Sequence, residues 1–285
     1  MPTTRDGRAA PALVVFTDLD GTLLRHEDYD WTAARGAVAE LARRGIPLVI
    51  ASSKTRAEIE AWRRRIGNHD PFISENGGAL YVPPGVMPRP IPGVVPAAGR
   101  QRVEFGTPYA QLREALRLLA RDLGVGLRGF GDMEAGEIAG LTGLAGEALE
   151  LARQREYDEP FVTARPLTRE EAVRLEELAG ERGLRVTRGG RFHHLTGFNS
   201  KGKVARLLMS AYRAGGEPVA SAGAGDGPND LELLRAVDHA VVVARPDGTH
   251  APELRAGLPF ARFTRGVGPV GFAEGVMEHL ARFGG

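Results

Sequence analysis

Short apolar runs alternate along this chain with amphipathic stretches of helical period. The first run, Val14-Val15-Phe16-Thr17, predicts a strand that leads into Asp18-Leu19-Asp20-Gly21-Thr22. The short continuous apolar run over 47–51 predicts a strand covered on both faces. A helix is expected over 32–44, with Ala34, Ala37, Val38 and Leu41 on one face and Gly45 as its stop. A strand over 47–51, a helix over 55–66 and strands over 71–74 and 79–82 follow. Strand alternating with helix at this spacing predicts an α/β fold built on a doubly wound parallel sheet.

The pattern breaks over 83–101, where Pro83-Pro84-Gly85, Pro88, Pro90, Pro92-Gly93 and Pro96 crowd together, the composition of a boundary or hinge. Beyond it a helix over 108–123 carries Leu112, Leu116, Leu119 and Leu123 at helical spacing. Shorter helical stretches are expected over 134–141 and 145–154, then a strand over 160–164. Thr168 and Glu171 form a capping box that opens a helix over 168–182, closed by Gly183. Strands over 184–187 and 191–196 complete a segment of mixed α and β character. From Ser200 the first pattern resumes, with helix 201–213, strand 218–222, helix 228–236, strand 240–243 and a last helix ending near Phe283. The expected organisation is a loose tail over 1–11, a core formed by 12–84 and 197–285, and a separate domain over 85–196 inserted into it.

Four clusters of polar residues follow or flank core strands. Asp18 and Asp20 are two apart on an extended segment, so both carboxylates can address one site, although an exposed turn would carry the same residues. Catalytic groups in open α/β sheets gather beyond the carboxyl ends of strands, which favours the first reading. Ser52-Ser53-Lys54-Thr55 follows the second core strand. A serine there suits a helix cap, and equally a phosphate oxygen. Ser200-Lys201-Gly202-Lys203 opens a helix, where a lysine opposes the macrodipole; a bound anion would account for it, and a solvated charge pair is the plainer alternative. Gly223-Ala224-Gly225-Asp226-Gly227-Pro228-Asn229-Asp230 is a tight glycine-rich turn with two carboxylates and an amide at its tip. A second acidic cluster near Asp18 calls for a divalent cation, since Mg2+ takes oxygen ligands and uses one or two carboxylates plus substrate phosphate.

Composition narrows the function classes. Lys plus Arg total 37 against 36 Asp plus Glu, so no global field draws the chain to nucleic acid or membrane, and an anionic ligand must be held locally. The absence of cysteine excludes disulfides, thiolate metal sites and cysteine nucleophiles. No apolar run is long enough to span a bilayer and no signal-peptide core is visible, so the cytoplasm is the expected location. Among the basic residues only Lys54, Lys201 and Lys203 are lysines. Those three positions are candidates for a compact point charge where a planar fork would not serve.

Asp18-x-Asp20-Gly21-Thr22, Ser52, Lys201 and Gly225-Asp226-x-x-Asn229-Asp230 resemble, in order and strand context, the four motifs of the haloacid dehalogenase superfamily of phosphatases. The insertion after Ser74-Glu75-Asn76-Gly77-Gly78 resembles a C2-type cap. Ser52-Ser53-Lys54-Thr55-Arg56, Gly129-Phe130-Gly131-Asp132-Met133, Arg155-Glu156-Tyr157-Asp158-Glu159 and Gly189-Gly190-Arg191-Phe192-His193-His194 are similar to the mannosyl-3-phosphoglycerate phosphatases of that superfamily. The resemblance implies a Rossmann-like core with an inserted α+β cap, and Mg2+-dependent removal of phosphate from a glycosyl-3-phosphoglycerate through an aspartyl-phosphate. A broader hexose- or sucrose-phosphate phosphatase, a phosphosugar mutase and a catalytically silent sugar-phosphate sensor are the alternatives.

By the same resemblance Asp18 is the nucleophile and a metal ligand, and Asp20 the general acid and then base, with its backbone carbonyl on the metal. Ser52 and Lys201 bind the phosphoryl group, Asp226 completes the metal ligands, and Asn229 and Asp230 support metal and lysine. Substrate contacts are expected from Ser53, Lys54, Arg56, Asn76, Gly77, Arg155, Tyr157, Arg191, His193 and His194. Lys54, Arg56 and Arg191 are the candidates for a substrate carboxylate, which a bidentate arginine suits. Arg191, His193 and His194 share one expected strand, so their side chains alternate and only part of the set can face one site. The expected partner is a small phosphorylated glycosylglycerate; the oligomeric state is open. The sequence departs from the family at Ser52, where threonine is expected, and in the tail.

Overall fold

The computed structural model describes residues 12–87, 89, 91, 93, 95–97, 100–189 and 192–283; the expected loose tail and Arg191 lie outside them. The strands are β1 Leu13–Thr17, β2 Leu48–Ala51, β3 Phe72–Ser74, β4 Ala79–Val82, β5 Val95–Ala97, β6 Arg100–Glu104, β7 Leu127–Gly129, β8 Asp158–Thr163, β9 Arg185–Gly189, β10 Phe192–Thr196, β11 Ala220–Gly225, β12 His239–Ala244 and β13 Arg262–Val267. The helices are α1 Arg35–Arg43, α2 Arg56–Ile66, α3 Tyr109–Leu123, α4 Ala135–Thr142, α5 Gly146–Ala152, α6 Arg169–Gly180, α7 Lys201–Arg213, α8 Leu231–Leu234, α9 Pro252–Gly257 and α10 Pro269–Phe283. They form two compact units, the second made of Ser53–Ile66 and Glu104–Asn199 and the first of the rest.

The first unit is built on a nine-stranded sheet of order β13-β12-β11-β1-β2-β3-β4-β6-β5. From β1 the strands step outward through β2 and β3 on one side and through β11, β12 and β13 on the other, every neighbouring pair among them parallel. Strand β1 is thus the place where the winding reverses, and the crevice beyond its carboxyl end is where open α/β sheets bind ligands. Val14 and Phe16 of β1 share a core with Val204, Leu208 and Met209 of α7. Leu13 and Val15 line a small cavity on the other face with Val276 and Leu280 of α10. Burial on both faces explains why the run carries no polar alternation.

The second unit has an antiparallel four-stranded sheet, β7-β8-β10-β9. Phe161 and Leu195 join Leu112, Leu116 and Leu119 of α3 and Leu175 and Leu178 of α6 in one core. Val162 and Phe192 pack against a second cluster of Phe130, Met133, Ile138 and Leu149. Alternate residues of β8 and β10 therefore serve opposite faces.

The fold is α/β, a doubly wound, largely parallel sheet with an α+β unit inserted, as the sequence leads one to expect. Elements missing from the sequence reading lie mostly at sheet edges. The proline-rich stretch contains the β5–β6 hairpin, with Pro96 on the outermost strand, where a lost N–H donor is tolerated. The units part after Val103 and after Asn199, and this hairpin adds its strands to the large sheet. At the other edge β13 has only Thr264 fully buried, so its Arg-Phe-Thr-Arg sequence lacks the apolar run that marks the inner strands. Among the described residues no helix is long and apolar enough to cross a membrane.

Candidate active site

Asp18 is the first residue beyond β1, and its backbone N–H donates to the carbonyl of Ala224 on β11 at 3.0 Å. That bond continues the β1–β11 ladder and holds Asp18 at the carboxyl end of a central strand. Leu19 is wholly buried between the two aspartates, leaving Asp18 inside and Asp20 half exposed. The chain then turns at Gly21, whose φ is +76°. A β-carbon at Gly21 would sit 2.6 Å from Asp226 Oδ2, so close approach as well as conformation requires glycine here. Thr22 donates its hydroxyl to Asp226 Oδ1 at 2.9 Å, tying the turn after β1 to the loop after β11. The sequence reading gave Thr22 no role, although its place in the Asp-Gly-Thr run was a signal.

Lys201 is the first residue of α7, capped by the Ser200 hydroxyl, which accepts from the Lys203 N–H at 3.2 Å. Its ammonium is fully buried and donates to Asp18 Oδ1 at 2.9 Å and to Asp230 Oδ1 at 2.7 Å. The unfavourable end of the helix dipole is thus offset by two buried carboxylates, and the solvated-pair alternative for Lys201 is removed. The other oxygen of Asp230 accepts from the Asp226 and Gly227 N–H groups at 3.2 and 3.1 Å. Ser52 is buried one residue beyond β2; its N–H donates to Ile73 at 3.0 Å. It does not cap α2: Thr55 does, accepting from Glu58 N–H at 3.1 Å while Glu58 accepts from Thr55 N–H at 2.9 Å. Asn229 is exposed and donates to Asn76 Oδ1 at 3.4 Å.

Oxygens of Asp18, Asp226 and Asp230 lie within 4.8 Å of one another. Burial pushes the Asp18 carboxyl well above its ordinary range; Lys201 opposes this, while Asp230, Asp226 and Asp20 reinforce it. Asp226 is pushed up to about 6 by burial and by Asp230. Burial pulls the Lys201 ammonium down, but the two carboxylates more than reverse this and hold it charged. The cluster holds more negative charge than Lys201 neutralises, and its donors are all oxygen. This set fits a hard divalent cation and suits thiophilic or imidazole-seeking metals poorly.

Gly77 lies in the first unit beside Asn76, and the other described candidates lie in the second unit, most of them engaged with protein partners. The Ser53 carbonyl accepts from Arg155 at 3.2 Å, and Arg155 also donates to the Ala152 carbonyl at 2.9 Å and stands 3.6 Å from Asp158. Arg56 pairs with Glu156 at 3.0 Å and with Glu60 at 3.3 Å, and Lys54 lies 3.7 Å from Glu58. Tyr157 is buried and donates its hydroxyl to Glu104. His193 stacks on Phe161 with ring centroids 5.2 Å apart, and His194 Nδ1 lies 2.9 Å from the buried Asp158. The two histidines thus serve opposite faces of β10, as strand alternation requires. Asp158 went unrecognised in the sequence because only strand pairing brings it to His194.

Residues 15–84 match the family described as haloacid dehalogenase-like hydrolase. A glucosyl-3-phosphoglycerate/mannosyl-3-phosphoglycerate phosphatase from Methanococcoides burtonii is 38% identical over 271 residues, 94% of this chain and 97% of that protein. A mannosyl-3-phosphoglycerate phosphatase from Pyrococcus furiosus is 38% identical over 232 residues, 81% of this chain and 90% of that one. In fold, a haloalkanoate-superfamily phosphatase from Bacteroides thetaiotaomicron matches 97% of this chain and 96% of its own with a TM-score of 0.62 at 20% identity. With similarity running nearly end to end through both sequences, this chain belongs to the haloacid dehalogenase family as one of its phosphatases, an enzyme that hydrolyses phosphoric monoesters.

Proposed function

We propose that the chain is a Mg2+-dependent phosphatase that releases phosphate from a glycosyl-3-phosphoglycerate, with mannosyl-3-phosphoglycerate the leading substrate, by way of a phosphoryl group carried on Asp18. The observation that carries the reading is the buried Lys201 ammonium bridging Asp18 and Asp230. It sets a fixed positive charge against the carboxylate that would receive the phosphoryl group, as stabilisation of the equatorial oxygens demands. The names of the curated relatives support the substrate class.

In the first step an Asp18 oxygen attacks phosphorus in line, the bond from phosphorus to the glycerate oxygen breaks, and Asp20 gives that oxygen its proton. In the second step Asp20 takes a proton from water, whose oxygen attacks the same phosphorus; the bond to Asp18 breaks and inorganic phosphate leaves. Ser52 and Lys201 hold the phosphoryl oxygens throughout. Asp18, the Asp20 carbonyl and Asp226 would hold Mg2+, which when bound supplies charge neutralisation to the transferring group. Asn229 and Asp230 support this set. The second unit is assigned the part of a C2-type cap that selects the substrate, with His194 and Arg155 the leading contacts.

The test is phosphate release under Mg2+ from mannosyl-3-phosphoglycerate, glucosyl-3-phosphoglycerate, sucrose phosphate and hexose phosphates. Higher kcat/KM for the phosphoglycerate glycosides supports the proposal. Faster turnover of hexose or sucrose phosphates, or phosphoryl return to a sugar, assigns the chain to a broader phosphatase or a mutase.

A further inference from the structure

The turn between β3 and β4, Ser74-Glu75-Asn76-Gly77-Gly78, holds three successive residues at positive φ: Glu75 at 47°, Asn76 at 56° and Gly77 at 100°. Glutamate is poorly suited to that region and asparagine only tolerates it. Such a conformation persists where its surroundings over-determine it. Here the surroundings are three strand-end clusters of the same unit. The Asn76 N–H donates to the Ser52 carbonyl at 3.0 Å. A β-carbon on Gly77 would lie 2.4 Å from the Ser200 carbonyl carbon and 2.7 Å from the Lys201 nitrogen, so the turn presses directly on the first residue of α7. Asn229 donates to the Asn76 side chain at 3.4 Å. Within the turn, Gly77 and Gly78 N–H groups both donate to the Ser74 carbonyl, at 3.0 and 2.9 Å.

The geometry assigns the left-handed turn Glu75-Asn76-Gly77 as a positioning element that sets the spacing of Ser52 and Lys201, the two groups that hold the phosphoryl oxygens. Asn76 and Gly77, expected from the sequence to touch substrate, act instead through the backbone they fix. This rests on the phosphatase reading above. Ser52 follows β2, Lys201 opens α7 and Asn229 follows β11, and this one turn meets all three segments. Gly77 is small because the helix start occupies the space a side chain would need.

The test compares Asn76→Gly, Asn76→Val and Gly77→Ala on mannosyl-3-phosphoglycerate and on p-nitrophenyl phosphate under Mg2+, with inorganic phosphate binding followed by its protection against thermal unfolding. Asn76→Gly keeps a residue that accepts positive φ, so kcat should fall only about threefold on both substrates with KM near native. Asn76→Val and Gly77→Ala force the turn out of its shape. Each should lower kcat on the order of 10²-fold on both substrates, as displaced catalytic groups do, and weaken phosphate binding in parallel. Native kcat and phosphate affinity in Asn76→Val would overturn the assignment. So would an Asn76→Gly enzyme whose KM rises only for the glycosyl substrate, which would make Asn76 a substrate contact. If Asn76→Val does not fold, Asn76→Ala replaces it, with the same two outcomes. A native chain that spares the glycosyl substrate but cleaves p-nitrophenyl phosphate overturns the substrate proposal and leaves this test intact. If it cleaves neither, phosphate affinity across the variants decides.

Discussion

The Lys201 ammonium donates to Asp18 Oδ1 across 2.9 Å, a pair separated by 183 positions in sequence, with the lysine fully buried and the aspartate nearly so. Nearly everything else at the site is arranged around it. Asp230 takes the amine's second bond, and the loop amides of Asp226 and Gly227 take the other oxygen of Asp230. Removing one partner of such a buried pair leaves charge uncompensated. Lys201→Met should therefore destabilise the protein by about 3–5 kcal/mol in urea unfolding. It should also lower phosphate release on the order of 10³-fold. A variant of native stability would mean that the buried carboxylates are held by something other than the lysine.

Cation binding gives a second expectation, readable without turnover. Because burial and the neighbouring carboxylates raise the cost of ionising Asp18 and Asp226, a divalent ion beside them favours the native state. Mg2+ should raise the melting temperature of the native chain in a concentration-dependent way, and Asp226→Asn should abolish the response. EDTA should suppress phosphate release reversibly. An equal Mg2+ shift in Asp226→Asn would place the ion elsewhere.

Glu159 offers a test in the second unit alone. Its side chain is buried on β8, accepts from the Gly131 N–H at 3.0 Å, and is pushed up to about 7 by burial. A carboxyl raised in the folded state costs nothing below its unfolded pKa and increasingly destabilises as pH rises through the folded value. Between about pH 4.5 and 7 the protein should lose up to about 3 kcal/mol from this group. Glu159→Gln should flatten that part of the stability profile in urea melts at successive pH values. An unchanged slope would show that Glu159 ionises normally.

How much of this was legible in the sequence depends on the range of the interaction. Asp18 and Asp20 declare themselves through local spacing, and Lys201 through being a lysine at a helix start, where local energetics do not want one. The inner strands follow from unbroken apolar runs. Strand β13 escapes because, at the sheet's edge, it is half solvated and resembles a loop in composition, and β5 because it lies within the proline-rich stretch. Partners supplied by distant chain were equally hidden. Glu156, 100 positions from Arg56, occupies a guanidinium that the sequence offered to a substrate carboxylate, and Asp158 reaches His194 through strand pairing alone.

The two neighbouring histidines should behave differently. His193 stacks on Phe161, and burial lowers its pKa, so it is neutral near pH 7. His193→Ala should cost about 1 kcal/mol of stability with little effect on KM. His194, oriented by Asp158, is the assigned substrate contact, and His194→Ala should raise KM for mannosyl-3-phosphoglycerate about tenfold while p-nitrophenyl phosphate is cleaved as before. Equal KM changes in the two variants would contradict the division of labour along β10.

The central claim is that Asp18 accepts the phosphoryl group, and the most direct measurement is phosphate release by Asp18→Asn set beside its binding of mannosyl-3-phosphoglycerate by calorimetry. The expected result is loss of turnover to the assay's floor with the substrate still bound, because the amide keeps the shape of the side chain and lacks the nucleophilic oxygen. Phosphate release at a native rate by Asp18→Asn would remove Asp18 from the reaction.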